Sequence, residues 1–227
     1  MDVEYPYADG LSRRQLLYRL PSTPLPRRLL LVSDDADSDL IGGGWAGPVT
    51  VVTGAGLDAA IAEGDARFDA VALPWVLGSH APSRRFPRGG IPLLCAAHRA
   101  LVPGGIVVGH VENILTLRRL VSVRGWGEIM GAMVRRGAIS SASGCKASLL
   151  RAGFTEPECY CVQPSIESPM GLIPCDPVPA RAHFLRTIRS AQGQYSRPAY
   201  TLRLLVAFLG LGGMQQHELF FWAKKPC

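Results

Sequence analysis

The sequence predicts an α/β protein in which helices cover both faces of a parallel sheet. Short apolar runs recur through the first half of the chain, and helical patterns lie between them. Most of these runs are apolar throughout, as is typical of parallel strands buried on both faces. The composition agrees, since 227 residues that are 48% hydrophobic and 19% charged suffice for one sizeable core and exclude a disordered chain.

The elements begin with a segment outside the core. Residues 11–20 predict a short amphipathic helix, and prolines at 21, 24 and 26 favour an extended linker after it. We therefore divide the chain into an N-terminal helix and linker at residues 1–26 and a single domain at residues 27–227.

Four strands and one clear helix follow in order. The strand-like runs are residues 28–33, 48–53, 69–73 and 105–110. Residues 90–101 form the best helical pattern. The sequence Val-Pro-Gly-Gly at 102–105 predicts a turn that leads directly into the fourth run.

Several segments, in their order and spacing, resemble one known family. Residues 68–80 and 101–108 resemble the fourth and fifth strands of class I S-adenosylmethionine-dependent methyltransferases. Residues 149–154 resemble the helix and turn before the sixth strand of that family, and residues 218–226 resemble its last strand. The resemblance covers about residues 28–226.

The resemblance implies a Rossmann-like sheet that is mostly parallel, with an antiparallel edge formed by the C-terminal strands. Ligands would bind at the carboxyl ends of the parallel strands, where this architecture opens a crevice. It also implies two insertions, which we expect to be helical, at about residues 114–148 and 163–215.

The resemblance further implies S-adenosylmethionine as the cofactor, held by the loops after the first, second and fourth strands of the family. The matching positions here are Ser33, Asp34, Asp35, Thr53, Gly54, Leu73, Pro74 and Trp75.

The front half departs from the family pattern. Residues 33–39 contain no glycine, although glycine normally lets the backbone approach the ligand there. The second run ends in Thr53 and Gly54, without the acid that usually accepts hydrogen bonds from the ribose. Residues 54–67 leave room for one helix, at 57–63, so we expect the third strand to be short or missing.

The acidic turn has two interpretations. Asp34, Asp35, Asp37 and Asp39 supply oxygen ligands suited to a hard cation such as Mg²⁺. Asp and Ser are also favoured at helix starts, and this interpretation is preferred because the spacing of a recognised calcium loop is absent. We therefore expect no metal site. The glycines at 42–47 form either a displaced ligand loop or a flexible turn.

Candidate catalytic residues lie at two strand ends. His110 and Glu112 follow the fifth family strand and His80 follows the fourth, where a base would deprotonate the methyl acceptor. A histidine at a strand end is also commonly just hydrogen-bonded. A base is not obligatory, since alignment of the reacting groups supplies much of the rate.

Basic residues dominate after residue 117. The net charge is +6, which favours anionic partners, and no module typical of nucleic-acid binding is present. We expect Asn113, Arg118 and Arg119 to contact an anionic small-molecule or peptide-like substrate. The arginines between 118 and 151 suit a phosphate, a carboxylate or an anionic lipid surface, but solvated helix faces explain many of them.

The remaining features concern environment and assembly. Six cysteines form no CxxC pair and no signal segment is apparent, so we expect a cytoplasmic protein with reduced thiols. Cys159 and Cys161 flank Tyr160 as in a strand. The apolar stretch at 202–211 contains Arg203 and is too short to span a bilayer, and it fits either the core or an oligomer interface.

Two functions remain open. In the first, the chain is a methyltransferase-like protein that transfers a methyl group from S-adenosylmethionine to a small biosynthetic intermediate. In the second, it is a pseudo-methyltransferase that does not bind the cofactor in the usual way. It would then serve as a binding or assembly subunit for a partner enzyme, or act on a substrate without that cofactor.

Overall fold

The computed structural model describes residues 28–32, 48–52, 61, 68–73, 90–113, 116, 141–164, 169–194, 196–209 and 218–227. Within these ranges the elements are β1 (Leu29–Val32), β2 (Val49–Val52), β3 (Phe68–Leu73), α1 (Gly90–Ala100), β4 (Leu101–Glu112), α2 (Ala142–Arg151), β5 (Thr155–Pro164), β6 (Pro169–Pro174), α3 (Pro177–Ser190), α4 (Arg197–Phe208) and β7 (Glu218–Lys224). None of the helices in these ranges is long and apolar enough to cross a membrane.

The strands form one seven-stranded sheet in the order β2-β1-β3-β4-β7-β5-β6. Neighbours among β1, β2, β3 and β4 pair in parallel. Strand β7 runs antiparallel to both β4 and β5, and β6 runs antiparallel to β5. Five strands therefore point in one direction, and the predicted mostly parallel sheet with an antiparallel C-terminal edge is confirmed.

The start of β4 differs from the prediction. We expected residues 102–105 to form a turn before the strand, but β4 already begins at Leu101. Phe68 lies opposite Leu101 and Ala70 lies opposite Ile106, so β4 contains more residues than β3 over this stretch. Gly104 has a φ of +75°, which favours glycine. The Pro-Gly-Gly sequence thus forms a bulge inside the strand rather than a turn before it.

Strand β6 lies within residues 163–215, which the sequence predicted to be a helical insertion. The segment does contain α3 and α4, but it opens with the end of β5 and with β6. A proline stands at each end of β6. Proline is tolerated on an edge strand, because one side of that strand has no ladder to interrupt.

The core has a layer on each face of the sheet. On the first face, helices α1 to α4 all contribute residues to one cluster, together with alternate strand residues such as Leu30 and Val32. On the second face, the buried cluster consists of strand residues such as Leu29 and Leu31. All four residues of β1 are almost fully buried, as its uniformly apolar sequence predicted.

The helix and turn predicted before the sixth family strand are present as α2 and the residues after it. Ser141 caps α2 by accepting a hydrogen bond from the amide of Gly144. Gly153 then reverses the chain with a φ of +94°, and Phe154 is buried at the start of β5. The side-chain cap and the glycine therefore set the two limits of this helix-turn unit.

Candidate functional site

The sheet order defines one position where a crevice is expected. From β1 the chain moves outward to β2 on one side and then returns to β3 on the other side. The connections after β1 and β3 therefore lead to strands on opposite sides of the β1-β3 pair. Such a switch point is where open α/β sheets bind ligands. Here it lies between the ends of β1 and β3, at Val32 and Leu73.

The predicted cofactor positions follow these strand ends directly. Val32 lies opposite Val52, and Leu31 lies opposite Ala72, so β1, β2 and β3 end at the same edge of the sheet. Seven of the eight predicted residues lie outside the described residues: Ser33, Asp34, Asp35, Thr53, Gly54, Pro74 and Trp75. Their assignment to the cofactor stays a prediction.

Leu73 is the one described member of that set. Its side chain is fully buried and belongs to the core cluster on the first face, and its backbone lies opposite Gly109 of β4. Leu73 therefore fixes where β3 ends, while its own side chain packs in the core.

The end of β4 holds two buried polar side chains. His110 is 1% exposed and Asn113 is 4% exposed. His110 shares a strand face with Ile106 and Val108, and it lies opposite Phe220 of β7. Both polar residues have interaction partners in the structure. A catalytic role for His110 requires that a substrate reach this enclosed position, and it stays a prediction.

The other predicted catalytic and substrate residues are less well defined. The backbone of Glu112 lies opposite Glu218, but the Glu112 side chain is outside what the structure describes. His80, Arg118 and Arg119 also lie outside the described residues. The structure therefore brings His110, Glu112 and Asn113 together at one strand end and leaves the other three as predictions.

Two residues that follow or face the end of β4 had no signal in the sequence. Thr116 is 1% exposed, and its hydroxyl oxygen has no hydrogen-bond partner among the described residues. Leaving a buried polar atom unpaired is costly, so such an atom is a candidate for pairing with a ligand. The second residue is Glu218, whose backbone lies opposite Glu112. This pairing joins β4 and β7, which are far apart in the sequence, so no local pattern predicts it.

Four cysteines cluster between α2 and the β5-β6 pair. The sulfur atoms of Cys161 and Cys175 are 3.4 Å apart. A hydrogen bond between Cys145 and Cys159, together with burial, raises the pKa of Cys145, and the Cys161 contact and burial raise the pKa of Cys175. Thiols in this state are poor nucleophiles and behave as core residues.

The prediction that residues 159–161 form a strand is confirmed. Cys159 and Cys161 are buried on the first face, and Tyr160 is half-buried beside the cluster on the second face. Burial and the hydrogen bond to Glu158 raise the pKa of Tyr160 to about 12. Within the described residues, no group of three or more His, Cys, Asp or Glu is placed to hold a metal ion.

No family model matches this chain, and no curated protein matches it. Solved structures do. A SAM-dependent methyltransferase from Archaeoglobus fulgidus matches with a TM-score of 0.51 and 13% identity, over 96% of this chain and 95% of that one. Phosphoethanolamine N-methyltransferase 2 from Haemonchus contortus, in complex with S-adenosyl-L-methionine, matches with a TM-score of 0.51 and 15% identity, over 95% of this chain.

This is the class I methyltransferase fold. The chain spans about half the length of the Haemonchus protein, of which 53% is covered. At these identities the likeness concerns the fold alone. Within the methyltransferase fold, β3 and β4 take the places of the family's fourth and fifth strands, and β5 and β7 take those of its sixth and seventh.

The third strand of the class I methyltransferase sheet has no counterpart among the described strands. The described sheet instead includes β6, which lies next to β5 at the edge opposite β2. Of residues 54–67, the structure describes only Ile61, which is helical and lies within the predicted helix at 57–63. A short or missing third strand therefore stays a prediction.

Proposed function

We propose that this chain is a methyltransferase-like protein that binds S-adenosylmethionine at the carboxyl edge of the sheet. Its substrate would be a small anionic or peptide-like biosynthetic intermediate. The observation that supports the proposal is the switch point between β1 and β3, because open α/β sheets bind ligands at such a point and the predicted cofactor positions follow the ends of these strands in the sequence. A cytoplasmic location belongs to the same proposal.

The residues that follow β1 would bind the cofactor through acidic side chains rather than through a glycine-rich backbone. Residues 33–39 contain no glycine, the residue that most easily lets a backbone approach a ligand closely. Asp34 and Asp35 instead offer carboxylates that attract the positive sulfonium and ammonium groups. Thr116, four residues after the end of β4, has a buried hydroxyl with no hydrogen-bond partner in the part of the chain that the structure describes, so it is a further candidate to bind the ligand.

The chemistry supplied by the bound cofactor is an electrophilic methyl group. The chain would bind and align the acceptor, with Asn113, Arg118 and Arg119 contacting the anionic substrate. His110, Glu112 or His80 would take the proton that the acceptor releases, if its pKa requires this. Three charged or polar groups at the end of β4 are consistent with that division of roles.

Calorimetric titration of the full chain tests cofactor binding. We expect heat on adding S-adenosylmethionine or its demethylated product, and weaker binding in an Asp34→Asn/Asp35→Asn variant. Glu156→Gln is the control, because Glu156 is an exposed acid paired with Lys224. Absence of heat with either ligand at high concentration contradicts the proposal, as does equal loss in the control.

A second function is a pseudo-methyltransferase, used as a binding or assembly subunit or acting without the cofactor. The observations that favour it are the glycine-free turn at 33–39 and the enclosure of His110 and Asn113. Its partner would be another enzyme or a second copy of the chain. The same titration separates the two functions, since only the first requires cofactor binding.

A further inference from the structure

The hairpin of α3 and α4 exposes a concentration of large apolar side chains. Seven large hydrophobic residues are exposed in the described parts of the chain, and five of them belong to this hairpin and the residue after it. These five are Val178 (80% exposed), Leu202 (39%), Leu205 (53%), Phe208 (57%) and Leu209 (60%). Only Val51 and Leu150 lie elsewhere within those described parts.

The five side chains form a continuous feature. Leu202, Leu205 and Leu209 are three and four residues apart, so they form one stripe along α4. The guanidinium of Arg181 lies 4.3 Å from the centre of the Phe208 ring, which joins the second turn of α3 to the last turn of α4. Val178, one turn before Arg181, therefore lies at the same end as Phe208 and Leu209.

The opposite sides of both helices are already used. Ala180, Phe184 and Ile188 of α3 are buried in the core cluster of the first face, and Ala207 of α4 is buried in the same cluster. The hairpin is thus anchored to the sheet through one side. The exposed stripe is the side that remains available to a partner.

The same segment carries only positive charge. Residues 177–217 contain five arginines, at 181, 186, 189, 197 and 203, and no aspartate or glutamate. Arg186 and Arg189 are exposed on α3, and neither takes part in a salt bridge among the described residues. Arginine binds phosphate groups in a bidentate manner, so this surface is suited to an anionic partner.

Charge argues against a second copy of this chain and against residues 11–20 as the occupant. A second copy docked on this face would bring arginines against arginines with no carboxylate between them. Residues 11–20 also carry three arginines and no acid, so they have the wrong sign. An anionic bilayer surface fits both properties, since its phosphates accept the guanidinium groups while leucine and phenylalanine enter the layer below.

We propose that the α3-α4 hairpin docks the protein on the surface of an anionic membrane. The stripe formed by Leu202, Leu205 and Leu209 inserts together with Phe208 and Val178, and the arginines contact lipid phosphates. This is attachment to a surface without crossing it. The proposal is independent of cofactor binding, because it concerns a different face and uses no residue of the strand ends.

Sedimentation of the full chain with vesicles tests the proposal. One set of vesicles contains phosphatidylcholine alone, and the other contains equal parts phosphatidylcholine and phosphatidylglycerol. We expect the protein to sediment with the anionic vesicles only, and the bound fraction to fall as salt is added. Absence of binding, or equal binding to both sets, overturns the proposal.

Matched variants locate the contact. Leu205→Ser should reduce the partition coefficient about tenfold, while Leu150→Ser on α2 should leave it unchanged although Leu150 is equally exposed. Arg186→Glu should reduce it about fivefold or more, and Arg151→Glu should have no such effect. If Leu205→Ser does not fold, Phe208→Ser provides a second variant in which an exposed apolar side chain is replaced by a polar one.

Three other outcomes overturn the proposal. Equal losses in the Leu150→Ser and Leu205→Ser variants would mean that the hairpin is not the contact. If sedimentation velocity shows that the native chain is a dimer and that the Leu205→Ser variant is a monomer, the stripe would be assigned to contact with a second copy. Binding to polyglutamate without binding to anionic vesicles would assign it to an acidic protein.

Discussion

His98 of α1 links packing to pH at the scale of a single residue. Its ring meets Phe154 edge-on, with 5.0 Å between ring centres, and its Nε2 is buried beside Gly153 without a well-formed hydrogen bond to any residue that the structure describes. Burial, reinforced by the ammonium of Lys225, lowers the pKa of His98 below 6.5. Lys225 is fixed there because it donates hydrogen bonds to the carbonyls of His98 and Leu101.

The lowered pKa predicts a loss of stability in mild acid. Below pH 6.5 the unfolded chain takes up a proton at His98 more readily than the folded chain does. The free energy of unfolding should therefore fall between pH 7 and about 5.5, as measured by denaturant titration. His98→Gln, which cannot titrate, should show a flatter dependence. Parallel curves for the variant and the native chain would contradict the assignment.

Gly109 shows a close approach at the scale of one strand. A Cβ atom at this position would lie 2.7 Å from the Phe221 ring and 2.8 Å from the carbonyl oxygen of Leu73. These neighbours belong to β7 and β3, which flank β4 on both sides. Because Gly109 has no side chain, the Phe221 ring of β7 and the Leu73 carbonyl of β3 can both lie close to the backbone of β4.

Substitution of Gly109 should be destabilising. We expect Gly109→Ala to lower the free energy of unfolding by about 1–3 kcal/mol, because the ring and the carbonyl must move apart. Gly193→Ala is the control, since a Cβ there meets nothing within 4 Å, and it should change stability by less than about 0.5 kcal/mol. Denaturant unfolding measures both. Equal effects would show that the crowding at β4 relaxes freely.

The elements differ in how far the sequence predicts them. The apolar runs of β1, β2 and β3 and the pattern of α1 predicted these elements to within one or two residues, because apolar runs and helical spacing are local properties. Burial on both faces holds for β1 and β3, whereas β2 is partly exposed. The start of β4 was misplaced because the Pro-Gly-Gly sequence fits both a turn and a bulge. Strand β6 was missed because its two prolines and its glycine are typical of loops.

The arrangement of the whole molecule depends on β7. This strand lies between β4 and β5, and it pairs with β4 from Ile106 to Glu112. On its other side it pairs with β5, which in turn holds β6. In the described sheet, β7 therefore joins the parallel part to the rest.

Removal of β7 should abolish cooperative folding. A chain that ends at residue 217 leaves β4 and β5 without their common partner, and Phe220 and Phe221 are lost from the two core layers. We expect no sharp thermal transition by circular dichroism. A chain that ends at Lys225 keeps β7 and the hydrogen bonds of Lys225, and it should melt like the full chain. A sharp transition in the shorter chain would contradict this role.

The candidate site was predictable only in part, because part of its geometry depends on pairing between strands that are far apart in the sequence. The sequence places Ser33, Thr53 and Pro74 directly after apolar runs, which is enough to assign them to strand ends. The enclosure of His110 opposite Phe220 arises from pairing between strands far apart in the chain. Such pairing leaves no local pattern, so burial at the site could not be derived from the sequence.

The central position of β7 also has a consequence during synthesis. At about 5–20 residues per second, the ribosome needs roughly 5–20 s to proceed from the end of β4 at residue 112 to the start of β7 at residue 218. Throughout that interval the nascent chain presents an open, apolar strand edge with no partner yet made. We expect chaperones that bind extended apolar segments to associate with it until β7 emerges.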